Sequence, residues 1–99
     1  MYLVRDVMHC KPGRVKEMVT KFKHLSALMK QKGQSGLTRV LTDAVAERYW
    51  TVVIEQEAES LGAWEQNVQQ TMGDPEFQKV MKDYHDIVES GRREIFKIE

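Results

Sequence analysis

The chain is 99 residues long, enough for one domain and one core. Its fifteen Lys+Arg balance fifteen Asp+Glu, and with 41% hydrophobic residues this excludes a disordered or strongly charged tail. No apolar run reaches the ~20 residues of a membrane span, and the lone Cys10 excludes an internal disulfide framework or a cysteine-only zinc site. The opening residues carry Arg5, Asp6 and His9 and do not read as a secretory signal. The expectation is a single domain over residues 1–99, cytoplasmic, with neither a membrane nor a nucleic acid as partner.

Residues 2–10 are rich in β-branched and aromatic types, with apolar groups on both parities: Tyr2, Val4 and Met8 on one, Leu3 and Val7 on the other. That pattern predicts a strand buried at least partly on both faces. Lys11-Pro12-Gly13-Arg14 ends it. From about Arg14 to Lys32 the period changes to that of a helix, with Val15, Met18, Val19, Phe22, Leu25 and Met29 on one stripe and Gly33 as a C-terminal stop. His24 falls far from that stripe and is expected in solvent.

Leu37–Thr42 and Tyr49–Ile54 read as two strands joined by a short connector. In the second, Trp50, Val52 and Ile54 share one face, and Tyr49, Thr51, Val53 and Glu55 the other. Glu55 and Glu57 are expected to face solvent. A helix over Glu59–Met72 follows, with Leu61, Trp64, Val68 and Met72 on its stripe and Ser60 as a possible N-cap. Gly73-Asp74-Pro75 breaks it, and Asp74 then caps a third helix carrying Phe77, Val80, Met81, Tyr84, Ile87 and Val88. Gly91 is expected to close that helix before a last strand over residues 93–98. Both tryptophans are most simply core residues.

The order is βαββαβ, counting the two later helices as one broken crossover. This is the α+β, ferredoxin-like plan: a four-stranded antiparallel sheet with all helices on one face. Apolar side chains on both sheet faces would leave a patch that small proteins avoid exposing. A homodimer packed sheet against sheet resolves this; the alternative is a monomer with a mixed second face. Charge divides unevenly, net +6 in residues 1–50 and net −6 in 51–99, which suggests complementary packing of the basic first helix beside the acidic later ones.

The Lys-Pro-Gly-Arg entry to the first helix, the segment Tyr49-Trp50-Thr51-Val52-Val53, Glu59-Ser60-Leu61-Gly62-Ala63-Trp64 and Asp74-Pro75-Glu76-Phe77 together resemble the dimeric α/β-barrel superfamily. This group includes antibiotic biosynthesis monooxygenase domains, NIPSNAP-like domains and haem-degrading monooxygenases. The resemblance spans nearly the whole chain and implies a homodimer with a small pocket between sheet and helices in each subunit. It also implies, in many members, oxygenase chemistry without metal or flavin. The haem-degrading branch uses an Asn on the first strand together with a Trp and a His. Here that strand offers Asp6 and His9 and no Asn, and Trp64 and His85 lie on different predicted helices, so haem is not expected.

Chemistry-bearing candidates are few. His85 flanks the third stripe and could serve as a general base at the edge of a pocket, with Tyr84 as hydrogen-bond donor. Trp64 could line an apolar site. Asp6 and His9 are the strand-side ligand candidates, and they lie on opposite parities. Asp6 interrupts an apolar strand and needs a partner, such as an Arg from the last strand or across the dimer. No metal set or phosphate-binding loop is present in the pattern, and no cofactor is expected. The expected function is binding of a small apolar or aromatic molecule, with a cofactor-independent monooxygenase or a purely structural module as alternatives.

Overall fold

A computed structural model describes residues 1–99. The elements in chain order are β1 (Tyr2–Cys10), α1 (Val15–Gln31), β2 (Arg39–Thr42), β3 (Thr51–Ala58), α2 (Leu61–Gly73), α3 (Pro75–Val80), α4 (Tyr84–Ile87) and β4 (Val88–Lys97). The four strands form one sheet in the order β2-β3-β1-β4, every neighbouring pair antiparallel. This is the ferredoxin-like arrangement that the element order implies.

Local chemistry sets the helix boundaries. The turn before α1 uses Gly13 at φ 78°, a left-handed conformation that costs glycine little. Arg14 then holds Glu17 through a forked pair at 2.7 and 2.9 Å. The Ser60 hydroxyl accepts from the Ala63 amide at the start of α2, and the Asp74 carboxylate accepts from the Glu76 amide at the start of α3. Pro75 occupies the first turn of α3, where a missing N–H costs nothing.

The core lies between α1 and one sheet face. Met18, Phe22, Leu25 and Met29 of α1 meet Met8, Cys10, Val52 and Ile54 of the sheet, and Phe77 and Ile87 close the far side. The basic helix meets acidic groups at the ends of the later helices: Lys32 Nζ lies 3.0 Å from the α3 cap Asp74 and 3.4 Å from Glu76, and Lys21 Nζ lies 3.9 Å from Asp83 in the turn before α4.

Three local expectations are corrected. The third helix does not run on to Gly91. It stops at Val80, turns through residues 81–83, resumes for one turn in α4 and gives way to β4 at Val88. The reason is tertiary. β1 recruits Val88 opposite Cys10, with a bulge between His9 and Cys10, and Lys11 donates to the Ile87 carbonyl at 2.8 Å. Gly91 therefore sits inside a strand. The β2–β3 connector is also longer than expected. Trp50 takes φ 61°, so β3 starts at Thr51, and both Tyr49 and Trp50 stand exposed in the loop instead of on a strand. Trp50 is therefore not core; its carbonyl ties down the Cys10 amide at 2.8 Å.

The third correction concerns Glu55, which is only 1% exposed. It lies on the sheet face away from the helices, together with Leu3, Arg5, Val7, His9, Arg39, Leu41, Val53, Arg92, Glu94 and Phe96. The Arg5 guanidinium donates to Glu55 Oε2 at 2.8 Å, and the Arg39 guanidinium donates to Oε1. Burial alone would push the Glu55 carboxyl up, but the two guanidinium groups outweigh it and hold it below the usual carboxylate range.

Candidate ligand-binding site

Between the sheet and the helices lies a cleft of about 770 Å³. Strand parity builds its floor. The helix-facing residues of β1, β3 and β4 contribute Asp6 and Met8, Ile54 and Gln56, and Gly91 and Arg93. Phe22, Leu25 and Met29 of α1 form one wall. Val68, Met72, Phe77 and Met81 form the other, interrupted by Asn67, Thr71 and Gln78. Tyr84 and His85 complete the lining.

Polar groups enter this apolar space at defined places. Arg93 of β4 stands directly opposite Asp6 of β1 and donates twice to its carboxylate, at 2.6 and 3.3 Å. Asp6 thus finds the Arg from the last strand that its position demands. The guanidinium also covers the Trp64 ring, 4.8 Å from its centroid. Trp64 is half-buried behind this pair and does not itself reach the cleft wall; its indole N–H is buried without a hydrogen-bond partner.

Tyr84 and His85 meet edge to face, ring centroids 5.2 Å apart and planes at 89°. Tyr84 is half-buried, and burial, reinforced by the nearby Asp6 carboxylate, pushes its phenol above the ordinary tyrosine value. The phenol therefore stays protonated and able to donate. His85 is exposed at the rim.

The structure brings Asp6, Tyr84 and His85 to one cleft and places Trp64 beside it through Arg93. It does not bring His9 there. His9 points to the opposite sheet face, where its ring hydrogen-bonds Thr51 at 3.2 Å in a separate hollow of about 280 Å³. Burial first, then the charges of Arg48 and Arg92, lower the His9 pKa. No three His, Cys, Asp or Glu side chains converge on a possible metal position.

Gln56 and Arg93 line the cleft in addition to the residues expected there. The available signal was parity: Gln56 shares the file of Val52 and Ile54, and a polar group in that file must face something other than packed hydrocarbon.

No family model and no curated relative matches the chain. Solved structures do. A NIPSNAP family protein of unknown function from Agrobacterium tumefaciens superposes with a TM-score of 0.84 at 14% identity, over 99% of this chain and 87% of that one. The chain shares its fold with this protein. An uncharacterized NIPSNAP domain protein from Burkholderia xenovorans gives a TM-score of 0.84 at 12% identity, over 100% of this chain and 95% of that one. A solved antibiotic biosynthesis monooxygenase gives 0.68 at 11% identity, over 100% and 99% of the two chains. The higher scores fall on NIPSNAP proteins, and the monooxygenase shares the same fold at a lower score.

Proposed function

We propose that this chain is a single-domain, cytoplasmic small-molecule binding protein that works as a homodimer and takes an apolar or aromatic ligand in the cleft between sheet and helices. The observation that carries this reading is the cleft itself: about 770 Å³, walled by Phe22, Leu25, Met29 and Phe77, with Asp6–Arg93, Tyr84 and His85 converging on it. That combination of hydrocarbon walls and a few placed polar groups is the usual form of a small-molecule site. The homodimer reading is supported by the other face of the sheet, where Leu3, Val7, Val53, Leu41 and Phe96 lie with no helix over them.

The test uses 2-naphthol as probe, in calorimetric titration against the native protein and against Leu25→Trp, which fills the cleft. Saturable binding to the native chain and none to the filled variant is the expected result. An absence of native binding at millimolar probe overturns the reading. Sedimentation at micromolar concentration tests the dimer.

A second reading has specific support in the monooxygenase-like neighbours and in Tyr84 and His85 at the cleft. In it, His85 accepts a phenolic proton and Tyr84 donates a hydrogen bond to the substrate oxygen, with dioxygen as co-reactant. Oxygen consumption with a polyhydroxylated aromatic, abolished in His85→Ala, would favour this reading over binding alone.

A further inference from the structure

We propose that the cleft reads its ligand at both ends, and that Gln56 and Asn67 select an uncharged amide-like group at the end away from Asp6–Arg93. The inference rests on the ligand-binding reading above and goes beyond it by naming the second polar group of the ligand.

The cleft is polarised. Its ionisable lining residues, Asp6, Tyr84, His85, Arg92 and Arg93, all come from β1, α4 and β4. The lining residues of α1, β3, α2 and α3 include none. Their polar members are neutral: Gln56 of β3, Asn67 and Thr71 of α2, and Gln78 of α3. Arg93 and Gln56 both stand on the helix side of the sheet. The strand order sets them two strands apart, and the register offsets them by two residues, because Arg93 shares the row of Asp6 and Ile54. Their backbones are therefore about 12 Å apart.

Gln56 is a polar residue among hydrocarbon. Its file on β3 holds Val52 and Ile54, 0% and 6% exposed, and its partner on β1 is Val4, 1% exposed. Gln56 is half-buried, and its side-chain amide bonds to no other group of the chain; nor does that of Asn67 at the mouth of the cleft. The other two polar groups are engaged. The Thr71 hydroxyl donates to the Asn67 carbonyl at 2.8 Å, and the Gln78 amide donates to the Met72 carbonyl at 2.8 Å. The free capacity at this end is thus two carboxamides, each with a carbonyl acceptor and an amide donor.

That chemistry selects the ligand group. A carboxamide is satisfied at both atoms by a group that donates and accepts, such as another amide or a lactam. A carboxylate offers acceptors only and brings a charge to an end without a cation to pair it. An ammonium offers donors only and meets no carboxylate there. At the other end the Arg93 guanidinium and the Tyr84 phenol are donors, which suits a hydroxyl oxygen. The ligand class is an elongated apolar body with a hydroxyl at one end and a neutral amide at the other.

Calorimetric titration tests this with 2-naphthol, 6-hydroxy-2-naphthamide and 6-hydroxy-2-naphthoate, against the native chain and against Gln56→Leu, whose folding is checked by circular dichroism. The readout is the ratio of affinities within each protein, which removes any general effect of the substitution. In the native chain the naphthamide should bind about tenfold more tightly than 2-naphthol, as one well-made hydrogen bond allows. In Gln56→Leu that ratio should fall to about one, and the naphthoate should show no gain that depends on Gln56. Saturable 2-naphthol binding with a native ratio near one, or a ratio that survives Gln56→Leu, overturns the inference and leaves the ligand-binding reading standing. A gain for the naphthoate that disappears in Gln56→Leu overturns the uncharged class. Binding of none of the three probes overturns both readings. Should Gln56→Leu not fold, Gln56→Met, unbranched and of similar reach, carries the same comparison.

Discussion

Replacing Glu55 by Gln removes the buried carboxylate between Arg5 and Arg39 at constant size and shape. In the native chain the carboxylate accepts one N–H from Arg5 and two from Arg39 while only 1% exposed. A glutamine can keep one oxygen toward Arg39, but its amide turns an N–H toward the Arg5 donor. One charge-assisted hydrogen bond is lost, worth about 1.5–3 kcal/mol, together with the ionic attraction. Removing a partner from a fully buried pair costs about 3–5 kcal/mol. Here the cost should be lower, because the Arg5 and Arg39 side chains are 34% and 60% exposed and can turn to water. The expected loss is about 2–3 kcal/mol, equivalent to about 10–20 °C in Tm for a domain of this size.

The pH dependence provides the sharper test. Glu55 is ionised to lower pH in the folded chain than in the unfolded one. The stability it contributes is therefore complete above the unfolded value of about 4.3. It is lost as pH falls through the lower folded value. Other depressed carboxylates, Glu17 and Asp74, remain in the variant and cancel in the difference. Urea unfolding of both proteins at one fixed concentration should show the full gap at pH 7 and a narrowing gap in acid. A gap under about 0.5 kcal/mol at pH 7, the size of an ordinary surface substitution, would refute the argument, as would a gap that does not change with pH.

Phe22→Ala should cost about 3–5 kcal/mol in urea unfolding, because the ring is 3% exposed between α1 and the sheet. Gly91→Ala should cost about 1–3 kcal/mol, since the new Cβ would lie 2.8 Å from the Val7 carbonyl oxygen, a backbone atom that cannot swing away. Arg93→Gln should cost about 1 kcal/mol, the modest worth of a half-exposed ion pair. The same change should shift the tryptophan emission as the guanidinium leaves the Trp64 ring.

The parts legible in the sequence are those decided by local periodicity. The α1 stripe of Met18, Phe22, Leu25 and Met29 becomes a buried face, and the two apolar parities of β1 become Val4 and Met8 beneath the helices and Val7 on the other side. The parts that were not legible are decided by partners distant in the chain. The apolar positions from Phe77 to Val88 keep a helical period across a real break, because the helix stop at Met81 and the recruitment of Val88 by β1 leave the spacing untouched. Trp50 has strand propensity but takes a left-handed conformation, with its carbonyl held by the Cys10 amide. Glu55 reads as solvent-facing because a local window contains neither Arg5 nor Arg39; only the three-strand register sets both beside it.

The candidate site was legible to the same degree and for the same reason. Polar residues that interrupt an apolar strand need partners, which makes Asp6 and His9 equally eligible in sequence. Parity alone separates them. The register sets Asp6 opposite Arg93 on the helix side, and it sets His9 opposite Thr51 and Ser90 on the open side. A shift of one position along β1 therefore moves a group from the cleft to the open face of the sheet. Asp6, Gln56 and Arg93 all interrupt helix-facing files, and all three line the cleft. Arg5, Glu55 and Glu94 interrupt the opposite files, and they neutralise one another in a row. Polar residues at the centre of this sheet thus divide into a set that leaves room for a ligand and a set that closes on itself, and β1 carries a member of each.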